Sequence, residues 1–180
     1  MSKIVVLVGS MRRQGNTATL TSAFVKGAEE SGHDVTVVSV ADYKVAPCSG
    51  CNACRKRKNQ DCAVHDDMEK VFPILKEADT IVLASPVYFY GLSASLKAII
   101  DRLHQPARSA LKVKSMALLL VAADTLPAVF DAIKLQYQLI LDYFHLKSLG
   151  EIFAYGVEAV GDIHGKAILD EAYNLGRTIK

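Results

Sequence analysis

The sequence lacks the features that mark a nucleic-acid or membrane partner. Its 180 residues carry a formal net charge of only +2, which is too small to indicate nucleic acid or an anionic membrane as the main partner. The longest apolar run, at residues 116–123, is far shorter than the about 20 residues of a membrane-spanning helix. The N-terminus enters a strand-like segment directly, without the apolar stretch and cleavage site of a signal peptide. We therefore predict a cytoplasmic protein that binds neither nucleic acid nor membranes.

Motifs for catalysis by a side chain are also absent. There is no nucleophile elbow and no evident grouping of Ser, His and Asp. The five histidines are scattered, and none has the spacing of metal ligands. We predict no catalytic side chain, which is typical of a protein whose chemistry is carried by a bound cofactor.

What the chain does have is an alternation of strand and helix patterns. Hydrophobic residues make up 51% of it and charged residues 22%, which excludes a disordered chain. Apolar runs and β-branched residues predict strands at residues 4–8, 35–40, 80–84, 113–121 and 149–154. Helical periodicity and capping residues predict helices at residues 17–31, 66–78, 93–104, 127–146 and 166–179.

This alternation predicts the α/β class, with a doubly wound, five-stranded parallel sheet and helices on both faces. No repeat, low-complexity tract or linker interrupts it. We therefore predict a single domain over residues 1–180, with a cysteine-rich loop at about residues 45–65.

The first connection between a strand and a helix has the composition of a phosphate site. Residues 9–17 are rich in Gly, Ser, Arg, Asn and Thr and lie between a buried strand and a helical pattern. Backbone N–H groups, hydroxyls and a guanidinium near a helix N-terminus favour a phosphate dianion. The loop has neither the Gly-Lys-Ser/Thr of nucleoside-triphosphate loops nor the three-glycine spacing of dinucleotide loops. The alternative is a polar connection that binds nothing.

Four segments together match a known family. They are Gly9-Ser10-Met11-Arg12 with Gly15-Asn16-Thr17; Cys48-Ser49-Gly50-Cys51-Asn52-Ala53-Cys54; Asp66-Asp67-Met68; and Ser85-Pro86-Val87-Tyr88-Phe89-Tyr90-Gly91 with Leu96-Lys97-Ala98 and Asp101-Arg102. With these segments the chain resembles the flavodoxin-like NAD(P)H-dependent FMN reductases, in particular the branch of iron–sulfur flavoproteins and multimeric flavodoxin-type quinone reductases. The resemblance covers residues 3 to about 121 well and the last third only loosely.

The resemblance implies a flavodoxin-like sheet with strand order 2-1-3-4-5, FMN as cofactor and NAD(P)H as cosubstrate. It implies that the FMN phosphate is bound by Ser10, Arg12, Asn16 and Thr17, with Gly15 allowing close approach of the backbone. It implies that the flavin ring is edged by Pro86, Val87, Tyr88, Phe89, Tyr90 and Gly91. The aromatic side chains offer flat area for stacking, and the alternative is that they are ordinary core or interface residues.

The four cysteines all lie between residues 48 and 62, at spacings of x2, x2 and x7. Without a secretion signal a structural disulfide is not expected. The resemblance makes Cys48, Cys51, Cys54 and Cys62 candidate ligands of a [4Fe–4S] cluster. Free or redox-active thiols and a zinc site remain as alternatives, because spacing alone does not select the metal.

The function we predict is that of an FMN-dependent oxidoreductase. It would transfer hydride from NAD(P)H to bound FMN and then electrons to a small-molecule acceptor such as a quinone or a flavin. The first alternative is an iron–sulfur flavoprotein that transfers electrons between protein partners, and the second is a thiol-based redox sensor. The apolar residues of the helix at 127–146 spread beyond the stripe that one sheet face can cover. Burial by neighbouring elements within a monomer is the alternative, and the resemblance, to a family in which dimers and tetramers are usual, implies a homodimer or homotetramer.

Overall fold

The computed structural model describes residues 1–180. Its strands are β1 Lys3–Val8, β2 Asp34–Ser39, β3 Thr80–Tyr88, β4 Gly91–Leu92, β5 Ser115–Val121 and β6 Lys147–Ala154. Its α-helices are α1 Asn16–Glu30, α2 Ala53–Lys56, α3 Met68–Lys76, α4 Ala94–Arg102, α5 Asp131–Phe144 and α6 Ile168–Thr178. Two 3₁₀ segments, Pro106–Ala110 and Pro127–Phe130, precede β5 and α5.

Five parallel strands lie in the order β2-β1-β3-β5-β6. The predicted doubly wound fold is confirmed, because β5 and β6 are the fourth and fifth of the predicted strands. In the register, Val6 of β1 lies between Val37 of β2 and Val82 of β3. The strand order therefore reverses beside β1, which is where doubly wound folds place their ligands.

The predicted count of five strands is wrong by one. The strand β3 does not end at Ala84 but continues to Tyr88, turns, and pairs antiparallel with β4. Phe89 and Tyr90 form the turn with positive φ angles of 49° and 64°. Sequence patterns gave no sign of it, because turns of this geometry normally contain Asn-Gly or a similar pair.

Apolar residues alternate along β1 and so contribute to two cores, one on each face of the sheet. Ile4 and Val6 pack in the cluster that contains Leu20 and Phe24 of α1, which α6 also covers. Val5 and Leu7 pack in the cluster built with α3, α4 and α5. This two-sided burial explains why β1 is apolar throughout rather than alternating with polar residues.

The helix predicted at residues 127–146 is shorter than expected. Residues Pro127–Phe130 form a 3₁₀ turn, α5 begins at Asp131, and it ends at Phe144. His145 stops the helix in the left-handed conformation, with φ of 55°. None of the helices combines the length and the apolar character required to cross a membrane.

Candidate functional site

The loop after β1 lies at the carboxyl end of the sheet, beside the reversal of strand order. The N–H of Gly9 donates to the carbonyl of Ala84 at 2.7 Å, which ties the start of the loop to β3. A Cβ on Gly9 would lie 2.7 Å from Ser93 Oγ and 3.0 Å from Leu96 Cβ. Glycine is therefore needed here because the first turn of α4 packs directly on the backbone.

The N-terminus of α1 is open. Gly15 is its N-cap and supplies no side-chain hydrogen bond, and there is no acidic residue in the first turn. The first N–H groups of a helix need acceptors, and the helix dipole makes this end positive. A helix end of this kind can bind an anion, and Ser10 and Thr17, which lie beside it, are buried.

Two neighbouring arginines behave differently at this site. Arg13 forms an ion pair with the Asp42 carboxylate and donates to the carbonyl of Ala41 at 3.2 Å. Arg12 is exposed, and its backbone N–H donates to the hydroxyl of Ser10 at 3.1 Å. Since Arg13 is already paired, the guanidinium available to an anion at the α1 N-terminus is that of Arg12, as the motif indicates.

Asn16 is placed at this site but its side chain is engaged within the protein. Its amide nitrogen donates to the carbonyl of Ala159 at 2.8 Å, and its amide oxygen accepts from the N–H of Gly161 at 3.1 Å. The side chain is thus satisfied by a turn after β6. A role for Asn16 toward a phosphate would use its backbone N–H at the start of α1.

The hairpin of β3 and β4 brings the predicted ring-edging residues to the same edge of the sheet. The backbone N–H of Ser93 donates to Ser85 Oγ at 3.1 Å, and Ser93 caps α4 by accepting from the N–H of Leu96. Ser85 and Ser93 are buried, whereas at the tip of the hairpin Phe89 is 98% exposed and Tyr88 and Tyr90 are each more than half exposed. Their rings are therefore free to contact a ligand or another chain.

The turn after β6 lies beside the start of α1, although the sequence gives no sign of this. Residues 155–165 contain no recognisable motif, and the residues that the turn contacts are distant in the chain. Gly156 donates its N–H to the carbonyl of Asp124 at 3.2 Å, so the loops after β5 and β6 lie side by side. Both belong to the carboxyl edge that also contains the loop after β1.

The cysteine loop lies elsewhere, beside the C-terminal end of α4. All four cysteines line one cavity of about 100 Å³ together with Arg102, His104 and Gln105. Cys48 and Cys51 are exposed, whereas Cys54 and Cys62 are half-buried. No group of three or more His, Cys, Asp or Glu side chains is close enough to hold a metal ion. The structure gathers the thiols around one cavity but does not form a coordination site.

Hydrogen bonds lower the pKa of the Cys51 thiol. The backbone N–H of Ala53 and the hydroxyl of Ser49 donate hydrogen bonds that lower the pKa of Cys51, and the charge of Arg57 adds to this. A lowered pKa increases the thiolate fraction, which is the form that reacts and binds metals.

A parallel sheet with the strand order β2-β1-β3-β5-β6, in which the order reverses beside β1, is typical of a flavodoxin-like α/β protein. The sequence model for the NADPH-dependent FMN reductases matches residues 2–155. The chain belongs to this family, and the prediction from its motifs is confirmed.

Individual relatives agree with this assignment. An iron–sulfur flavoprotein of Methanocaldococcus jannaschii is 40% identical over 100 residues, which are 56% of this chain and 51% of that protein. An iron–sulfur flavoprotein of Archaeoglobus fulgidus is 35% identical over 108 residues, 58% of this chain and 48% of that protein. The match thus spans about half the length of these curated relatives.

Solved structures show the same fold over the whole chain. The NAD(P)H:quinone oxidoreductase from Methanothermobacter marburgensis superimposes with a TM-score of 0.77, covering 99% of both chains at 14% identity. The similarity therefore includes residues 156–180, which lie beyond the family match.

Proposed function

We propose that this chain is an FMN-dependent oxidoreductase that takes electrons from NAD(P)H and passes them to a small acceptor such as a quinone or a flavin. The observation that carries this proposal is the open N-terminus of α1, with the unpaired guanidinium of Arg12 beside it. The donors there fit the terminal phosphate of FMN, because a dianion accepts several charge-assisted hydrogen bonds at once. Bound FMN would supply reversible two-electron chemistry.

The chain's own residues would bind and orient the cofactor. Backbone N–H groups of Asn16 and Thr17, the guanidinium of Arg12 and the hydroxyls of Ser10 and Thr17 would bind the phosphate, with Gly15 allowing close approach. A Cβ on Gly15 would lie 3.0 Å from Arg12 Cβ and 3.3 Å from the Arg12 carbonyl oxygen. The hairpin at residues 86–91 would edge the flavin ring. No side chain is assigned to proton transfer.

The test begins with the flavin. We expect purified full-length protein to be yellow, to release FMN rather than FAD on denaturation, and to lose its flavin colour when NADPH is added anaerobically without any protein partner. Thr17→Ala should weaken FMN binding by about 1–3 kcal/mol, through lost donors. Thr36→Ala, a matched change at an exposed position of β2, should leave the affinity unchanged. A protein that binds no flavin would contradict the proposal.

A second candidate is an iron–sulfur flavoprotein that transfers electrons between protein partners. It is favoured by the cavity that all four cysteines line. Thiolates are the ligands that iron–sulfur clusters use, and metal sites in loops often form only when the metal binds. Anaerobic, iron-supplied protein would then contain about four irons per chain, lost in Cys54→Ser. Protein that contains flavin but no iron would exclude this candidate. Protein that contains zinc instead of iron would show that the four cysteines form a zinc site.

The remaining candidate, a thiol-based redox sensor, draws support from the lowered pKa of Cys51. It requires reversible oxidation of the cysteine loop in iron-free protein. Reaction with hydrogen peroxide, followed by counting free thiols before and after reduction, tests it. Thiols that stay free under mild oxidation would exclude the sensor and leave the reductase.

A further inference from the structure

Large apolar side chains are exposed at the carboxyl edge of the sheet. Eleven large hydrophobic residues of the chain are exposed, and six of them lie in four connections at this edge. They are Met11 after β1, Tyr88, Phe89 and Tyr90 in the hairpin of β3 and β4, Leu126 after β5, and Val160 after β6. None of the six belongs to either core, so their apolar surface faces solvent. We call these six residues the apolar rim.

Hydrogen bonds hold Val160 beside the loop that contains Met11. The side chain of Asn16, at the start of α1, donates to the carbonyl of Ala159 at 2.8 Å and accepts from the N–H of Gly161 at 3.1 Å. Both neighbours of Val160 in the chain are therefore attached to the end of the loop after β1. Because these contacts come from the backbone of the turn, they leave the side chain of Val160 exposed.

The other loops of the apolar rim are joined in the same way. The N–H of Gly156 donates to the carbonyl of Asp124 at 3.2 Å, and the Asp124 carboxylate accepts from the N–H of Leu126 at 2.9 Å. On the opposite side, the N–H of Gly9 donates to the carbonyl of Ala84 and joins the loop after β1 to β3. The four connections thus form one linked edge, which also carries the residues proposed to bind the flavin.

Charge at this edge bears on what can cover the apolar rim. Residues 122–126 and 155–163 contain the carboxylates of Asp124, Glu158 and Asp162 and neither Lys nor Arg. An anionic membrane surface would be repelled by these two loops. A symmetric contact with a second copy would place the same acidic loops against each other, which is also unfavourable. An uncharged small molecule at the flavin site meets neither obstacle.

We propose that the apolar rim binds the apolar substituent of the electron acceptor, so that the chain prefers an uncharged ring compound with an apolar side chain over the same ring without it. The inference rests on the proposed function, because the rim faces a substrate only if the flavin is bound at this edge. Met11, Leu126 and Val160 are then specificity-determining residues, and none of them is among the residues proposed to bind FMN.

The hydrophobic effect supplies the preference. When an apolar substituent covers exposed apolar side chains, water leaves both surfaces, and the gain grows with the area that is covered. The substituent takes no part in the reaction itself. A quinone ring takes up two electrons and two protons to become the hydroquinone, while NADPH gives up a hydride and solvent supplies the second proton. The effect of the rim therefore shows in kcat/KM for acceptors that share a ring and differ in the substituent.

Two benzoquinones with the same ring substituents test this, one with a decyl chain and one with hydrogen in its place. The full-length protein with bound FMN reduces each of them with NADPH as donor, and the readout is the ratio of the two kcat/KM values. Free reduced FMN gives the intrinsic ratio for comparison. We expect the protein to favour the decyl compound at least about tenfold beyond that intrinsic ratio, because even one methylene group in an apolar site is worth about tenfold.

Polar variants of similar size locate the preference. Met11→Gln, Leu126→Asn and Val160→Thr should each lower the ratio, and the triple variant should bring it close to the intrinsic value. Val37→Thr is the matched control for Val160→Thr, because Val37 is also an exposed valine but lies within β2, away from the rim. It should leave the ratio unchanged. All three rim residues are exposed, so their variants are expected to fold.

Three results would overturn the inference while leaving the proposed function intact. The wild type could show only the intrinsic ratio, or the triple variant could keep the wild-type ratio. The triple variant could also lose its assembly in light scattering with an unchanged ratio, which would make the rim a contact between copies. By contrast, bound flavin that NADPH does not reduce contradicts the proposed function, and the inference falls with it.

Discussion

The guanidinium of Arg102 lies 2.8 Å from the Asp66 carboxylate, and the two side chains are only 2% and 13% exposed. The same guanidinium donates to the carbonyls of Ala46 and Val64, at 3.1 and 3.2 Å. Asp66 in turn accepts from the N–H of Ala46 at 2.8 Å. This pair therefore fastens both ends of the loop that contains the four cysteines to the end of α4.

Removing Arg102 should loosen this loop as well as destabilise the protein. Arg102→Met leaves the largely buried Asp66 carboxylate and two carbonyls without this donor, and breaking a buried pair in this way typically costs about 3–5 kcal/mol. Urea unfolding measures the loss of stability. Modification by a thiol reagent in the folded protein should become faster at Cys54 and Cys62, which the loop half-buries.

Arg177→Met provides the matched control, since Arg177 is exposed on α6 and makes no ion pair with an acidic residue. It should change the free energy of unfolding by no more than about 1 kcal/mol, because only the cation–π contact of Arg177 with Tyr173 is lost. Equal thiol reactivity in Arg102→Met and in the wild type would show that the loop is held by other contacts.

The ion pair between Asp66 and Arg102 also makes the free energy of unfolding depend on pH in the acid range. Partial burial raises the pKa of Asp66, but the hydrogen bonds from Arg102 and from the N–H groups of Ala46 and Met68 outweigh it and lower the pKa below its ordinary value. The folded state therefore binds the proton more weakly than the unfolded state. The stabilisation is complete above the ordinary value of about 3.9 and is lost as the pH falls through the lower folded value.

We expect Asp66→Asn to flatten this acid limb of the stability curve. Unfolding free energies measured from about pH 5 down to about pH 2 should fall less steeply in the variant than in the wild type. Asp67, whose pKa is lowered by Lys70 and by the N–H of Lys44, still contributes a slope in both proteins. Parallel curves for the two proteins would mean that Asp66 does not drive the acid sensitivity.

The strands and helices could be predicted from the sequence because the patterns that indicate them involve residues close together in the chain. Five β-branched or apolar runs gave the parallel strands, and the Gly-Ser-Met-Arg segment identified the loop after β1. Contacts between distant residues could not be predicted in this way. Asn16 and Ala159 are 143 positions apart, and Arg102 and Ala46 are 56 apart. No periodicity or motif relates such residues, since only the packed fold brings them together.

The hairpin turn at Phe89 and Tyr90 could not be predicted from the sequence either, because these residues are not the ones that such a turn normally contains. Phe89 and Tyr90 both occupy left-handed backbone conformations, which cost roughly 1–2 kcal/mol for a residue with a side chain. Replacing them by Asn and Gly, as Phe89→Asn with Tyr90→Gly, gives the residues that this turn prefers. We expect the variant to unfold at a temperature higher by about 2–8 °C, measured by circular dichroism, for a gain of about 1–2 kcal/mol.

The same variant tests what the exposed aromatics do. If they edge the flavin ring, FMN affinity should fall although stability rises, which is the common trade-off at functional sites. Phe89→Ala is the control, because alanine keeps the strained backbone but removes the exposed ring. A loss of affinity in both variants assigns the effect to the ring of Phe89, and unchanged affinity in both removes it from the proposed site.

Helix α5 presents two apolar faces, and only one of them is covered. Ile133, Tyr137 and Leu141 are buried against the sheet. Leu135 and Leu139, four residues apart on another face, are 64% and 60% exposed. An uncovered apolar stripe on a helix is typical of an interface between chains. We predict that this stripe is covered by a second copy of the chain in a homodimer or a larger homo-oligomer.

Light scattering at micromolar concentration provides the test of assembly. We expect a dimer or tetramer for the wild type and a monomer for Leu135→Glu with Leu139→Glu, because each charge would have to be buried in the apolar interface. The variant should keep the circular dichroism spectrum of the wild type, since neither leucine contributes to the buried core. Lys134→Glu, an exposed charge change on the neighbouring side of α5, should leave the assembly intact. A wild-type monomer would contradict the prediction, and an oligomer that survives both glutamates would mean that the interface lies on another face, with the exposed hairpin at Phe89 as the next surface to alter.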